Sequence, residues 1–192
     1  MELSVDKNPV ILTGENPFMK LSANKGKDTC DFATFWRILW SPAGAGCALY
    51  MRGELTDDEV RIYSDNVGLA RWLQANVEKT LNPFFADPAL PVIDAEFDRT
   101  GDARSTLVER ITTTEDEVVV AWYDFAAPFV VRGAPDAKKG ALGFNSTFIP
   151  ARGSQLTFNG LQSRGSPWPD KIGGYPSSSS ALAWSETWLQ KK

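Results

Sequence analysis

Runs of aromatic and β-branched residues, each too short for most helices and each broken by Gly, Pro, Asn or Asp, recur along this chain. That punctuation restricts the fold more than any other feature, because such runs suit a pleated surface and such breaks turn it. The run at 34–40 (TFWRILW) is followed by the breaker SPAGAG at 41–46 and a returning run at 47–52 (CALYMR), which together read as a hairpin. A third strand is expected at 59–63, after the acidic turn Thr56-Asp57-Asp58. Residues 92–98 alternate, with Ile93, Ala95 and Phe97 facing one way and Asp94, Glu96 and Asp98 the other, as in a strand with one wet face. Further strands are expected at 104–112, 117–125 and 129–132, and a second hairpin from 142–149 and 155–161 across Pro150-Ala151-Arg152-Gly153. Residues 1–30 read as an extended lead-in, 163–180 as a Pro/Gly/Ser-rich loop, and 181–189 (ALAWSETWL) as a strand or a short helix.

One segment has helical periodicity. Leu69, Leu73, Val77 and Leu81 repeat at four-residue steps with Ala70 beside them, and at about 100° per residue they share one face. Arg71, Glu78 and Lys79 are expected to point elsewhere. Ser64 or Asp65 can cap the start and Asn82-Pro83 ends the run, giving one amphipathic helix over about 65–82. Many short strands and one helix imply an α+β fold, mainly antiparallel β, whose edges are hidden by a barrel-like or sandwich arrangement. The strand count and single helix resemble a lipocalin in general shape. The Gly-x-Trp signature of that family is not in the sequence, and none of its residues carries over.

With 192 residues the chain has the length of one domain, 1–192. Seven Trp and eleven Phe supply a sizeable core and disfavour disorder. The net charge is -4, and Lys138-Lys139 and Lys191-Lys192 are isolated pairs, so no dense basic face exists for a phosphate backbone or an anionic membrane. The start, MELSVDKNPVILTGENPF, lacks a secretory pattern, and no stretch approaches the roughly 20 apolar residues of a membrane helix. Cys30 and Cys47 form no CxxC-type pair; two free thiols in a cytoplasmic chain are expected, with a disulfide between them as the alternative.

The chain has no histidine. That removes Ser-His-Asp and Cys-His nucleophile activation and His-based metal sites, and two cysteines cannot supply a four-thiolate site. No GxxxxGK[ST] loop, GxGxxG helix opening or GxSxG elbow occurs, and no cofactor is expected. Carboxylate, arginine, tyrosine and tryptophan chemistry remains.

Reading the strands with period two puts charges on apolar faces. Glu109 falls with Leu107 and Ile111, Asp124 with Val118, Val120 and Trp122, Arg37 with Phe35 and Leu39, and Arg132 with Val130. If 181–189 is a strand, Glu186 sits between Trp184 and Trp188. Such charges cost several kcal/mol unless paired, so they either pair across the sheet or line a polar cavity. A carboxylate cluster of Asp94, Glu96 and Asp98 and an anion site at 61–66 (RIYSDN) are weaker readings, explained by a solvated face and by helix capping.

Three functions fit these residues. The first is binding of a small apolar or aromatic molecule in a Trp-lined barrel cavity, with walls from Trp36, Trp40, Trp122, Trp184 and Trp188 and orientation from Arg37, Arg132, Asp124 and Glu186. The second is a cofactor-independent lyase, hydratase or isomerase using paired carboxylates, with Asp124, Glu109 and Glu186 as acid and base and Tyr123 or Tyr50 as auxiliary acids. The third is a structural or protein-interaction module, dimerising through an edge strand.

Overall fold

The computed structural model describes residues 9–135 and 142–190. Two strands lie within the expected lead-in: β1 (Val10–Glu15) and β2 (Phe18–Leu21). Gly14 and Pro17 interrupt the alternation there and hide both strands from a periodicity reading, yet Leu12, Met19 and Leu21 are fully buried. The first expected hairpin forms as β3 (Asp31–Trp40) with β4 (Gly46–Gly53), and β5 (Arg61–Ser64) extends it. The segment expected to be one strand at 92–98 is divided at Ala95. β6 (Ile93–Asp94) pairs parallel with β5, and β7 (Glu96–Gly101) pairs with β8 (Thr106–Thr112) in another ladder. Next come β9 (Glu117–Phe125), beside β8, and β10 (Phe129–Gly133).

The second expected hairpin is instead one continuous strand, β11 (Leu142–Phe158). Its first half pairs with β10 and with β15 (Ser180–Gln190), and its second half pairs with β9. Pro150 sits where β11 changes ladders, a position that tolerates the missing N–H, and its carbonyl accepts from the Ala126 amide at 2.8 Å. The short β12 (Leu161–Gln162) returns along β11. Within the expected loop, β13 (Pro169–Ile172) and β14 (Tyr175–Ser178) form a hairpin. Its turn is Gly173-Gly174, both in the left-handed region (φ 58 and 87), as a twist-matched two-residue turn demands.

The main hydrogen-bonded path runs β6-β5-β4-β3-β1-β15-β11-β9-β8-β7. Its end strands are joined through Ala95 rather than by a ladder, so the sheet does not close into a barrel. It folds over instead. Met19, Phe35, Leu49 and Met51 from one part pack against Leu107, Ile111, Val120, Trp122 and Leu156 from the other in a shared core.

The opposite face of β3 and β4 is covered by the helix. α1 (Val67–Leu73) is capped by Asn66, whose side chain accepts from the Leu69 amide, and it continues through a π-helical turn (Gln74–Glu78) into a last turn, α2 (Lys79–Leu81). Leu69, Ala70, Leu73 and Val77 are fully buried against Trp36, Tyr50 and Ile62, and the Tyr50 hydroxyl donates to the Ala70 carbonyl at 2.7 Å. The extra residue in the π turn rotates the last helical turn about the axis. Leu81, expected on the buried face, is 43% exposed, and Glu78, expected to point away, is fully buried.

Beyond the helix, Phe148, Ala181 and Ala183 make a third cluster beneath β10 and the β13–β14 hairpin. Close packing and free thiols make the core testable at two places. A β-carbon at Gly14 would run into the Arg37 carbonyl oxygen on β3, so Gly14→Ala should destabilise the chain by about 1–3 kcal/mol in urea titration. Cys30 and Cys47 are both free and buried, and burial pushes the Cys47 thiol up to about 12. Native protein should therefore leave Cys47 unlabelled by a thiol reagent that modifies it in denaturant.

Candidate binding groove on the helix side of the sheet

Phe144 packs against both the helix cluster and the hairpin cluster, and beside it the two are separated by a groove of ≈ 250 Å³. Its floor is the face of β3 and β15 that carries Thr34 and Glu186, flanked by Asn16 and Trp188. Phe144 and Phe148 of β11 and Ile172 of β13 form one wall, and Phe32, Leu81 and Asn82 form the other. Phe18 and Lys20 of β2 complete the rim.

A β-bulge decides what β15 presents here. Before the bulge Ala181 and Ala183 face the groove side, while Leu182 and Trp184 pack in the inter-sheet core. Ser185 then adopts φ 56, and the pairing with β11 shifts between Asn145 and Thr147, so Ser146 opposes both Ser185 and Glu186. After the extra residue, Glu186 and Trp188 face the groove. The sequence reading that placed Trp184, Glu186 and Trp188 on one face fails at this residue.

Two buried carboxyl groups dominate the chemistry. The Glu78 carboxyl accepts from the Trp36 indole N–H at 2.6 Å and from the Asn82 side-chain amide at 2.7 Å. The Glu186 carboxyl accepts from the Trp188 indole N–H at 2.8 Å, and the two indoles lie 6.3 Å apart. Neither carboxyl is paired with a cation among the described residues. Burial pushes each up to about 7, against the indole hydrogen bonds, and the Glu78 charge adds to the effect on Glu186. Glu186 lines the groove, whereas Glu78 lies behind Asn82 and Trp36. The Ser146 hydroxyl is buried across the bulge, beside the Glu186 carboxyl, and it too favours the charged form of that acid.

The remaining predicted residues lie elsewhere. Glu109 is buried on the inter-sheet face, bonded to Arg37 at 2.9 Å and to Arg99, which also reaches Glu15 at 2.6 Å. The Arg99 guanidinium lies 5.4 Å over the Trp184 ring. Trp122 is fully buried and donates to the Phe18 carbonyl at 3.0 Å. Asp124 is exposed on a left-handed residue (φ 52), 3.8 Å from Arg152. Trp40 is half-exposed at the end of β3, Tyr123 is exposed, and Arg132 donates to the Asn145 side chain at 3.0 Å on the surface. Asp94, Glu96 and Asp98 are exposed, and no cluster of metal-ligating groups occurs among the described residues. Of the predicted site residues, only Glu186 and Trp188 line the groove, and Trp36 packs beside Trp188 in the helix cluster. Glu78, Asn82, Phe144 and Phe148 were missed; the alternation of Phe144, Ser146 and Phe148 in one strand was the available signal.

No family model, curated protein or solved structure matches this chain. No helix among the described residues is long and apolar enough to cross a membrane. A larger cleft of ≈ 760 Å³ lies between Pro128, Trp168 and Tyr175, but the charged residue in its wall, Arg152, is exposed beside Asp124. Buried polar groups converge on the smaller groove, which makes it the better candidate.

Two outcomes test these assignments. Glu78 and Glu186 hold their protons more tightly folded than unfolded, so folding stability falls as pH rises from about 4.5 to about 7. Glu78→Gln should abolish part of that loss, raising Tm at pH 8 by about 5 °C or more with little change at pH 4.5. Glu109→Gln should do the reverse in kind. It leaves Arg37 without its carboxylate and Arg99 with Glu15 alone, and should destabilise the chain by about 2–4 kcal/mol at neutral pH, measured in urea.

Proposed function

We propose that the protein binds a small, largely apolar or aromatic molecule in the groove between the helix end and the β13–β14 hairpin, with Glu186 as its polar anchor. The observation that carries this reading is a buried carboxyl group with no cationic partner among the described residues, placed among Phe18, Phe32, Phe144, Phe148 and Trp188. Apolar walls with a few convergent polar groups are the usual form of small-molecule sites. At ≈ 250 Å³ the groove is smaller than the roughly 300–1,000 Å³ of drug-sized sites, so the ligand is a small molecule or the end of a larger one. The free, buried state of Cys30 and Cys47 supports a reducing, cytoplasmic setting.

A second reading, proton-transfer catalysis as in a cofactor-independent lyase, hydratase or isomerase, draws on two carboxyl groups poised near neutrality. Only Glu186 reaches the groove, so one group would have to serve as both acid and base. Binding is the reading the geometry supports better.

Native mass spectrometry of protein purified from its own host tests it. A small molecule that leaves on unfolding, and that is missing from a Phe148→Lys variant, is the expected result. A bare protein whose Tm also does not respond to a set of aromatic fragments overturns the proposal.

A further inference from the structure

One desolvated carboxyl group, Glu186, lines the groove and a second, Glu78, lies behind its wall, and neither has a cation among the described residues. Elsewhere the same fold pairs a buried carboxylate generously: Glu109 meets two guanidiniums. Around Glu186 the partners are instead the Trp188 indole and the buried Ser146 hydroxyl, while the rings of Phe144 and Trp188 stand 5.6 Å apart beside them. Aromatic faces attract cations, and a desolvated carboxylate does so far more strongly. Extending the binding reading above, we propose that the groove's ligand is an organic amine whose ammonium seats on the Glu186 carboxylate while its apolar body lies against Phe144 and Phe148.

The amine enters as its ammonium form, and the Glu186 carboxyl releases its own proton to solvent. Binding at a pH below about 7 therefore liberates one proton per ligand. The charged groups facing the site are Glu78 from the helix side, which adds negative potential, and Lys20 from β2. Lys20 is exposed at the rim with its ammonium 5.9 Å over the Phe32 ring, so it screens the mouth and does not neutralise the floor. β3, β11 and β13 contribute only neutral groups to the groove: Phe32 and Thr34, Phe144 and Phe148, and Ile172.

The experiment compares phenethylamine, 2-phenylethanol and phenylacetate by ligand-observed NMR titration against the full chain at several pH values. At pH 8 the amine should bind at least about ten-fold more tightly than the alcohol, and phenylacetate more weakly than either. Below pH 7 amine affinity should fall by about ten-fold per unit, while alcohol affinity stays level. Glu186→Gln should erase the preference for the amine and keep binding of the alcohol; the pH profile of the wild-type chain gives the same information should that variant not fold. Equal affinity for amine and alcohol, a flat pH profile for the amine, or a preference for phenylacetate overturns the amine inference and leaves the groove as a binding site. Failure of all three probes to bind overturns both.

Discussion

The bulge at Ser185 governs which chemistry each face of the central strand receives. A regular strand would send Trp184, Glu186 and Trp188 to the same side, and the inter-sheet core would have to absorb an acid and a second indole. The extra residue breaks that alternation, leaving Trp184 under the Arg99 guanidinium and turning Glu186 and Trp188 toward the helix. Ser146 is the residue that faces two partners there, which is why its hydroxyl ends up buried beside Glu186.

The two sides of the sheet then solve the same electrostatic problem in opposite ways. In the shared core, Glu15, Arg37, Arg99 and Glu109 form a chain of alternating charge, so Coulomb attraction within the fold offsets part of the burial cost, which still holds the Glu109 carboxyl above its ordinary value. On the helix side, Glu78 and Glu186 are satisfied by indoles, an amide and a hydroxyl, with no cation among the described residues, and at neutral pH each retains a substantial protonated fraction. The first arrangement is self-contained. The second leaves a capacity for negative charge inside the molecule, at a place open to solvent through the groove.

Most of the strand content was legible because hydrophobic alternation and turn residues are local signals. The hairpin of β3 and β4, strands β8 to β10, and the helix over 67–81 all stand close to their expected places. The failures share a cause: each depends on a single residue that changes phase or partner. Pro150 and Gly153 look like a turn, but β11 runs through them because the strand is passing from one ladder to another. Gly14 and Pro17 hide two strands whose register is imposed by neighbours distant in sequence. The π turn exchanges the expected places of Leu81 and Glu78, and Ser185 separates Trp184 from Trp188. Period counting assumes an unbroken phase, so the groove, which lies just beyond two phase changes, was the part of the molecule it could least resolve.

The position of β15 carries a consequence in time. It lies between β1 and β11, and Gly14 pairs with Glu186 across almost the whole length of the chain. Contacts so distant in sequence are entropically slow to close, whereas the β3–β4 hairpin and the helix that lies on it are local and quick. One edge of β1 therefore depends on a partner from the far end of the chain, and Trp36 and Glu78 belong to the local unit whereas Glu186 and Trp188 belong to the distant strand. The groove is complete only when the central sheet is, because Glu186 and Trp188 sit on the strand that joins its two halves.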